Sequence, residues 1–593
     1  MPFLYRMSNL GTHRHFNLRS TEFRLTILLF LLLWVYLIIR AFSVFYIHDE
    51  IVTKWSYVIH WNPFPNQGAI DANNHFLLSL LAGFFTRLFN SDSMFLIRLG
   101  SILAFPIYFW SIFRLKYLFQ QKWNFYALLI VLTTSSFLIE YFALARGYGL
   151  GLAFLVFSLQ QMICYFDTDS KKALIGSLLG WLLTVYASLT LLPITLIAVF
   201  FLGMYTVRRK SYIWILPVLM MIIPLGYFVE YSFTLKDLGK LYYGGAEGFF
   251  SSTVHSLTKY VWLVESTWVD LGIALVTGFI LFAAIRRFWK TKNLFDPKLL
   301  FSIFLFVGVA SILGQYWILG INYPEDRTAM FLIVFFFGAL FFALDDLKSN
   351  KVVALISIGL SLAFFAITMN FTHSMHFVTE HLDEELVRNI PLSVNGTPPT
   401  TAGRWNMEND LTRELNLPLR VYQDNDDPHD TLVDYMVFVP ERRPGLTDLY
   451  EIAHLDPISG QALLKRKKFL KRTKNLEVEH AIISEVEYQI VYISNLEGPM
   501  VLRCSGKLEQ MTELKEIFIV FSSEDSLSKQ QFTYEMIPMI RNSKISDSGE
   551  MNFDFSYAMN ALEGANSFAA YIWNQNGEEL QGKIKLEVYA IDE

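Results

Sequence analysis

Long apolar runs separated by short polar segments fill the chain up to about residue 371. A membrane-spanning helix needs about 20 mostly apolar residues, and residues 25–47 meet this with Arg40 as their single charge. A cleaved signal peptide has a shorter apolar core and a small-residue cleavage site. Because this run is longer and ends in bulky residues, it predicts an uncleaved first span. Ten further runs predict spans at 94–113, 123–141, 148–166, 172–189, 191–207, 212–230, 266–285, 299–318, 328–344 and 352–371.

The remaining residues follow a different pattern. Residues 372–475 contain polar turns, short helical patterns and a strand-like run at 433–439, which indicates an α/β segment or a connector. Residues 476–593 alternate apolar and polar positions in short runs separated by turn residues. This alternation is typical of an antiparallel β-sandwich. The sequence thus predicts a multi-pass α-helical membrane protein with about 11 transmembrane helices, followed by an α/β segment and a β-sandwich domain.

Basic residues set the predicted orientation, since Lys and Arg collect in short cytoplasmic loops. The tail, residues 1–24, carries Arg6, Arg14, Arg19 and Arg24. With this tail inside, every basic cluster of a short loop lies on the cytoplasmic side: Arg114/Lys116/Lys122, Lys171/Lys172, Arg208/Arg209/Lys210, Arg286/Arg287/Lys290/Lys292 and Lys348/Lys351. Eleven spans then place residues 372–593 outside. The uncleaved first span and the two cysteines favour a bacterial inner (plasma) membrane, with a transmembrane module at 25–371 and a periplasmic C-terminal part.

Composition excludes several classes of protein. Hydrophobic residues make up 53% and charged residues 17%, against about 25% charge in a soluble domain. With a net charge of −5, the chain is neither disordered nor a nucleic-acid binder with a basic footprint. Two cysteines do not make a disulfide scaffold. The absence of a glycine-rich nucleotide-binding motif argues against a soluble nucleotide-sugar donor.

The predicted outer loops gather ionisable residues at the ends of spans, where such groups usually mark pathways or sites. Asp49 and Glu50 follow the first span almost directly, in a loop that also holds Lys54. One carboxylate of such a pair can take a proton while the other binds an acceptor or a metal. The alternative is structural, since Asp49 could cap a helix that begins at Glu50. The residues alone leave both interpretations open.

Two later loops supply candidate phosphate ligands. Arg146 and Arg327 lie at the depth of lipid headgroups, and arginine pairs with phosphate in a fork geometry. Both could instead anchor the helices by snorkelling. Glu140 could serve as an acid, cap a helix or pair with Arg146.

His75 precedes a stretch from Phe76 to Phe89 whose apolar residues fall at helical spacing. That pattern predicts a helix lying in the plane of the membrane interface. A histidine at such a helix start is either a hydrogen-bonded loop residue or part of a pocket.

The order of these motifs resembles the GT-C superfamily of polyprenyl-phosphate-sugar-dependent glycosyltransferases, closest to the protein O-mannosyltransferase and lipid A aminoarabinose transferase group. The resemblance covers about residues 20–371. It is carried first by the acidic pair Asp49-Glu50 after the first span, and by the motif Asn73-Asn74-His75 before an interfacial helix, followed by Arg98-Leu-Gly-Ser. It is carried also by Glu140 with Ala145-Arg146-Gly147-Tyr148, which looks like the family's "aR-x-Y" element. The last motif is Tyr323-Pro-Glu-Asp-Arg327 in a late outer loop.

The resemblance implies transfer of a sugar from a polyprenyl phosphate on the periplasmic face. Asp49 would be the general base, Glu50 would bind acceptor or metal, and Glu140 would be a second-loop acid. Arg146 and Arg327 would hold the donor phosphate, within a pocket that includes Lys54, His75, Tyr148 and Asp326. Bacterial members usually show His-Pro-Pro at residues 73–75, and no Asp-x-Asp motif is visible in the outer loops. A divalent cation (Mg²⁺ or Mn²⁺), held by Asp49 and Glu50, is therefore an open expectation.

The partners expected for such a protein are a polyprenyl-phosphate sugar, a glycan, lipid or protein acceptor, and membrane lipids, without nucleic acid. The main alternative is a transporter or flippase for a lipid-linked sugar, although the hydropathy shows no clear inverted repeat. A second alternative is a membrane protein that displays its sandwich for adhesion or assembly. That function does not explain the acids and bases at one membrane face.

Overall fold

The computed structural model describes residues 20–592 except 68–69, 348–350, 405–406, 425–429, 485–487, 496–497, 512–515, 529, 547, 560–564 and 576. Most of the predicted cytoplasmic tail, including Arg6, Arg14 and Arg19, lies outside the described residues, as does Lys348. The chain forms two compact units. The first contains the residues up to Val44 and Val52–His376, and the second contains Phe45–Ile51 and the chain from Phe377 onward. The predicted module boundary at 371/372 lies five residues before this division.

Helices build almost all of the first unit. In chain order the described α-helices up to residue 368 are α1 (Thr21–Ser43), α2 (His48–Thr53), α3 (Phe76–Phe89), α4 (Met94–Arg114), α5 (Lys122–Thr134), α6 (Ser136–Glu140), α7 (Gly147–Thr168), α8 (Lys171–Ala187), α9 (Leu192–Arg208), α10 (Ile215–Met220), α11 (Ile222–Asp237), α12 (His255–Trp262), α13 (Thr267–Thr291), α14 (Leu300–Gly314), α15 (Phe331–Asp346) and α16 (Lys351–Thr368).

Within the described residues, eight helical stretches are long and apolar enough to cross a membrane. They are Thr21–Ser43, Met94–Leu118, Gly147–Thr168, Leu189–Arg208, Tyr212–Asp237, Thr267–Thr291, Leu300–Leu319 and Lys351–Thr368. The other three predicted spans fall on shorter helices: residues 123–141 form α5 and α6, 172–189 form α8, and 328–344 form α15. The count of eleven therefore stays a prediction. Large apolar side chains on the surface, such as Ile223 and Ile367 at 79% and 82% exposure, suit contact with lipid tails.

The end of α1 is fixed by a buried arginine from α4. Arg98 donates to the carbonyl oxygens of Ala41 at 3.2 Å and Val44 at 2.5 Å. Basic side chains satisfy the last carbonyls of a helix in this way. Further along, Phe30 of α1 stacks against Phe105 of α4, with ring centroids 6.1 Å apart. The conformation of the chain just before Asp49 is thus set by α4.

The second unit contains the start of α2 and, from Phe377 onward, four short described α-helices and the described strands of the protein. The helices are α17 (Glu385–Arg388), α18 (Met407–Glu414), α19 (Leu446–Leu449) and α20 (Met539–Asn542). The strands are β1 (Thr401–Gly403), β2 (Tyr422–Asp424), β3 (Tyr435–Phe438), β4 (Tyr450–Leu455), β5 (Ala462–Arg466), β6 (Lys471–Ser484), β7 (Tyr488–Asn495), β8 (Met500–Gln510), β9 (Phe518–Glu524), β10 (Gln531–Pro538), β11 (Lys544–Ile545), β12 (Glu550–Met559), β13 (Ser567–Trp573) and β14 (Leu580–Asp592).

The first five strands form one mixed sheet in the order β2-β1-β3-β5-β4. β1 pairs in parallel with β2 and β3, whereas β5 is antiparallel to β3 and β4. The helices α18 and α19 lie between these strands in sequence, so this part of the chain is α/β in composition. Met436, Tyr450 and Leu464 belong to its buried core.

Two antiparallel sheets follow, in the orders β10-β9-β13-β7 and β11-β12-β8-β14-β6. The ring centroids of Phe521 on β9 and Tyr557 on β12 are 5.3 Å apart, so the two sheets meet through buried aromatic residues. β6 runs across the predicted boundary at 475/476. Gln423 of β2 exchanges two 2.9 Å hydrogen bonds with the backbone of Ala558 on β12, which joins the mixed sheet to the antiparallel part.

Candidate functional site

Arg146 is a buried cation at the start of α7. Its Nη1 donates to Asn73 Oδ1 at 2.5 Å, and its Cζ lies 5.6 Å from the centroid of the Tyr148 ring. The residue is 2% exposed. A buried guanidinium that meets an amide and an aromatic ring is poorly placed to snorkel to lipid headgroups. The contacts therefore favour an internal role for Arg146.

His75 packs beside this arginine. Its Nδ1 lies 3.2 Å from the carbonyl oxygen of Ala187, and its ring meets Tyr148 edge-on with centroids 4.9 Å apart. Gly147 makes the packing possible: a Cβ at this position would overlap the Ala187 carbonyl oxygen and lie 2.6 Å from His75 Nδ1. The structure thus brings together the predicted residues Arg146, Tyr148 and His75.

A backbone bridge joins the loop that contains Gly245 to the loop that contains Tyr323. The N–H of Gly245 donates to the Tyr323 carbonyl at 3.1 Å, and the N–H of Tyr323 donates back at 2.9 Å. Asn322 Nδ2 donates to the carbonyl of Tyr242 at 2.8 Å. Gly244 has a φ of 118°, which favours glycine, and a Cβ there would overlap the Tyr323 carbonyl oxygen. The bridge places Tyr243 next to Asp326 and Arg327.

Arg327, Tyr243 and Asp326 form a hydrogen-bonded group. Arg327 Nη1 donates to the Tyr243 hydroxyl at 2.8 Å, and that hydroxyl donates to Asp326 Oδ2 at 2.5 Å. The guanidinium Cζ lies 4.3 Å from the centroid of the Tyr243 ring. Although burial opposes the charge, the nearby tyrosines and Asp326 raise the pKa of Arg327 above its ordinary value. Arg327 therefore stays a cation in this partly buried position.

His376 lies on the other side of Asp326. Its Nε2 is 3.7 Å from Asp326 Oδ2, and its ring centroid is 4.1 Å from that of Tyr260. His376 and Tyr260 line a small pocket. The pocket is otherwise lined by Glu140 and mainly apolar or small residues: Ser136, Phe137, Leu263, Phe364, Thr368 and Met375.

The two arginines are linked by tyrosines. Tyr148, which contacts Arg146, also acts electrostatically on Arg327, as does Tyr141. The rings of Tyr141 and Tyr148 are 5.4 Å apart. Tyr141 is fully buried, and its hydroxyl finds no hydrogen-bond partner in the described part of the chain. Two cations and an unsatisfied hydroxyl thus lie around one cluster of aromatic rings.

Glu140 makes structural contacts. Its Oε1 accepts from Arg40 Nη2 at 3.3 Å and from the backbone N–H of Met375 at 3.0 Å. Arg40 also donates to the carbonyl oxygens of Asn370 at 2.7 Å and His373 at 3.1 Å. Glu140 therefore pairs with Arg40, near the end of α1. This ion pair holds the segment that carries His376.

The acidic pair belongs to the second unit. The N–H of His48 donates to Glu380 Oε2 at 2.7 Å, and Glu50 Oε2 accepts from the backbone N–H of Ile47 at 3.1 Å. Glu50 is fully buried. The helix α2 begins at His48, so Asp49 and Glu50 both lie in its first turn. The two carboxylates point differently, as adjacent helical residues do.

Lys54 is also buried, and its Nζ lies 3.7 Å from Asp92 Oδ2 and 5.5 Å from the Trp55 ring centroid. Neither contact belongs to the group around Arg146 and Arg327. Across the described ranges, no group of three or more His, Cys, Asp or Glu side chains is arranged to hold a metal ion. The divalent cation that the resemblance leaves open stays an expectation.

Sequence reasoning missed Tyr243, Tyr260, Tyr141, His376 and the partner of Arg40. The signal for Arg40 was present, because it is the single charge in a long apolar run. The paired glycines at residues 244–245 also marked a close backbone approach. The sequence around His376 did not indicate a role in the site, because a histidine shortly after a membrane span is common.

Comparison with known proteins gives matches to solved structures only: no protein-family model and no curated protein matches this chain. The chain is similar to ArnT from Cupriavidus metallidurans bound to undecaprenyl phosphate, with 10% identity, 75% of this chain and 98% of that chain covered, and a TM-score of 0.47. It is similar to the arabinosyltransferase EmbB from Mycobacterium smegmatis, with 10% identity, 100% and 66% covered, and a TM-score of 0.36.

It is also similar to the arabinofuranosyltransferase AftD from Mycobacteria, with 8% identity, 95% and 58% of the two chains covered, and a TM-score of 0.40. All three TM-scores lie below 0.5, so the proposals below rest on the residues of this chain alone.

Proposed function

We propose that the chain is an integral-membrane glycosyltransferase that moves a sugar from a polyprenyl phosphate to an acceptor hydroxyl on the periplasmic face of the inner membrane. The observation that carries this proposal is the convergence of Arg146 and Arg327 on Tyr148, in a helical unit rich in membrane-length spans. A buried cation, Arg146, and a partly buried one, Arg327, around one cluster suit an anionic ligand, and the lipid-facing surface suits a donor that is itself a lipid.

The arginines would act on the leaving group. The acceptor oxygen attacks the anomeric carbon, the bond from that carbon to the phosphate oxygen breaks, and its electron pair stays on the lipid phosphate. Negative charge therefore grows on the phosphate, and fixed cations stabilise it most where water is scarce. The Tyr141 hydroxyl offers a further donor in the same cluster.

Asp49 is the proposed base that takes the proton of the acceptor hydroxyl. Glu50 is buried and accepts from the backbone N–H of Ile47, which supports a structural role for this member of the pair. Glu140 is engaged by Arg40 and Met375, which supports a positioning role rather than that of an acid.

The test is transfer by the purified full chain, supplied with a panel of radiolabelled polyprenyl-phosphate sugars and extracts containing candidate acceptors. We expect wild type to release sugar to an acceptor, and Arg146→Ala and Arg327→Ala to lose at least about 100-fold in kcat/KM, since each removes a charged hydrogen-bond donor from the transition state. The matched control is Arg114→Ala, at an exposed arginine.

The transporter alternative gives a different result in proteoliposomes. If no labelled sugar reaches any acceptor while labelled lipid crosses the bilayer in a protein-dependent manner, the chain is a flippase and the transferase proposal fails. If Arg114→Ala lost as much transfer as Arg146→Ala and Arg327→Ala, the proposed phosphate site would also be refuted.

A further inference from the structure

Arg327 is close to a carboxylate that could neutralise it. Its Nη1 lies 3.6 Å from Asp326 Oδ1, beyond direct hydrogen-bond distance. The same Nη1 donates instead to the Tyr243 hydroxyl at 2.8 Å, and the Tyr243 ring lies beneath the guanidinium. A tyrosine hydroxyl therefore stands between the cation and the acid.

Asp326 is itself held in place from several directions. Its backbone N–H donates to Ser256 Oγ at 2.9 Å, its Oδ2 accepts from Tyr243, and His376 Nε2 lies 3.7 Å away. Its φ of 37° is unusual for a residue other than glycine. Such a conformation persists where the surroundings fix it, and it is common at functional sites.

Tyr243 is fixed by the backbone bridge between Gly245 and Tyr323 described above. Burial and the Asp326 carboxylate raise the pKa of the Tyr243 hydroxyl above its ordinary value. The hydroxyl stays protonated, so it can donate to Asp326 and accept from Arg327 at the same time.

We propose that Tyr243 is a positioning residue that holds the Arg327 guanidinium toward the donor phosphate and away from Asp326. The inference rests on the proposed function, because it takes Arg327 as a phosphate ligand. The Asp326 carboxylate then competes with the lipid phosphate for the Arg327 guanidinium. The Tyr243 hydroxyl favours the phosphate, because it donates a hydrogen bond to the Asp326 carboxylate.

The first experiment measures binding of undecaprenyl monophosphate to the purified full chain in nanodiscs, with no sugar transfer involved. We expect Tyr243→Phe to weaken binding about tenfold, the effect of losing a hydrogen bond to a charged group. The matched control is Tyr242→Phe, since Tyr242 is the neighbouring tyrosine and is 71% exposed. It should bind like wild type.

A second variant separates positioning from a general loss of structure. Adding Asp326→Asn to Tyr243→Phe removes the competing charge, so we expect the double variant to recover most of the lost affinity. Asp326→Asn alone should bind at least as well as wild type, and it tests the same competition should Tyr243→Phe fail to fold. Tyr243→Phe affinity equal to wild type, or a double variant as weak as Tyr243→Phe, would overturn the proposal.

The two proposals fail in distinguishable ways. If wild type binds undecaprenyl monophosphate no better than undecaprenol, the phosphate site itself is absent and both proposals fall. If wild type prefers the phosphate and Arg327→Ala loses that preference, the site stands. The behaviour of Tyr243→Phe and its double variant then decides the positioning role alone.

Discussion

At the scale of the residue, we assign the two carboxylates of the acidic pair different roles, with Glu50 capping α2 and Asp49 as the proposed base. Glu50 is buried and reaches back to the N–H of Ile47, three residues earlier, as the acidic residue of a capping box does. The residues alone favoured Asp49 as the helix cap, if either was structural. The structure gives that kind of contact to Glu50.

This difference predicts different consequences of mutation. Asp49→Asn should lower kcat for sugar transfer at least about 100-fold, because an amide takes no proton from the acceptor. Its melting temperature and its affinity for undecaprenyl monophosphate are measured on the same nanodisc preparation, so that a loss of folding or of donor binding is distinguished from a loss of proton transfer.

Glu50→Ala is the companion variant. It should lower the melting temperature, since it removes a buried backbone contact at the start of α2. Transfer that survives in Asp49→Asn but not in a folded Glu50→Gln would assign the base to Glu50 instead.

A second buried acid, Glu408 of α18, is expected to make stability depend on pH. Its Oε1 accepts from the backbone N–H of Arg404 at 3.1 Å, while its Oε2 has no hydrogen-bond partner among the described residues. Burial raises the pKa of this carboxyl to about 7. The folded protein therefore retains a proton that the unfolded chain has already lost.

The sign follows from the raised pKa. The contribution of Glu408 to stability is fully present below the ordinary carboxyl pKa and is lost as pH rises through about 7. As pH rises from the ordinary carboxyl pKa to about 7, the melting temperature of wild type should fall more than that of Glu408→Gln. Thermal unfolding of the full chain at a series of pH values checks this, and parallel pH profiles for the two proteins would contradict it.

Single residues were predictable where their type alone was informative. Arg146 and Arg327 stood out because charge at a span end is costly, and both prove to lie in one cluster. Tyr243 and His376 did not stand out, because both take their roles from contact with Asp326. Asp326 is 83 residues from Tyr243 and 50 residues from His376 in sequence. Contacts between loops, rather than local pattern, decide such roles.

At the scale of the element, the start of α7 depends on close backbone packing. Gly147 meets Ala187 and His75, and a Cβ on Gly149 would overlap the Tyr141 carbonyl oxygen. No side chain fits at either position without a shift of neighbouring backbone.

Gly147→Ala should therefore destabilise the folded chain by about 1–3 kcal/mol, the usual effect of overpacking. It should also weaken binding of undecaprenyl monophosphate, because His75 and Arg146 flank this residue. The control is Gly226→Ala, where no atom lies within 4 Å of the added Cβ. Thermal unfolding in nanodiscs compares the two, and equal melting temperatures would contradict the packing argument.

Hydropathy located elements well where an apolar run coincides with one helix. The prediction of a helix over Phe76–Phe89 is confirmed by α3, and the run at 148–166 lies inside α7. The run at 123–141 instead breaks at Ser135, whose backbone is extended, so it forms two helices. The hydroxyl residues at 133–136 interrupt the apolar run at this point, but serine and threonine are tolerated within helices, so hydropathy did not indicate the break.

At the scale of the whole molecule, the open question is the number of membrane crossings. Eight helical stretches of the described chain are long enough by themselves, whereas eleven spans were predicted. The prediction needs α8 and α15 to cross, together with α5 and α6 as one broken span. An odd number of crossings places the two ends of the chain on opposite sides of the membrane.

Labelling of single cysteines tests this parity. In a chain carrying Cys164→Ser and Cys504→Ser, Ser526→Cys introduces an exposed thiol in the second unit and Lys172→Cys introduces one in the first turn of α8. With eleven spans, a membrane-impermeant maleimide added to intact spheroplasts should label Ser526→Cys and spare Lys172→Cys. Protection of both thiols, or the reverse pattern, would refute the predicted topology.

The composition of the second unit has a consequence for biosynthesis. Phe45–Ile51, with the acidic pair, leaves the ribosome more than 300 residues before Phe377, where the rest of its unit begins. At the usual 5–20 residues per second, that interval is on the order of 15–60 s. During that time Glu380, which accepts from the N–H of His48 in the folded chain, has not been synthesised, so nascent chains arrested before residue 377 should remain inactive however well their helices insert.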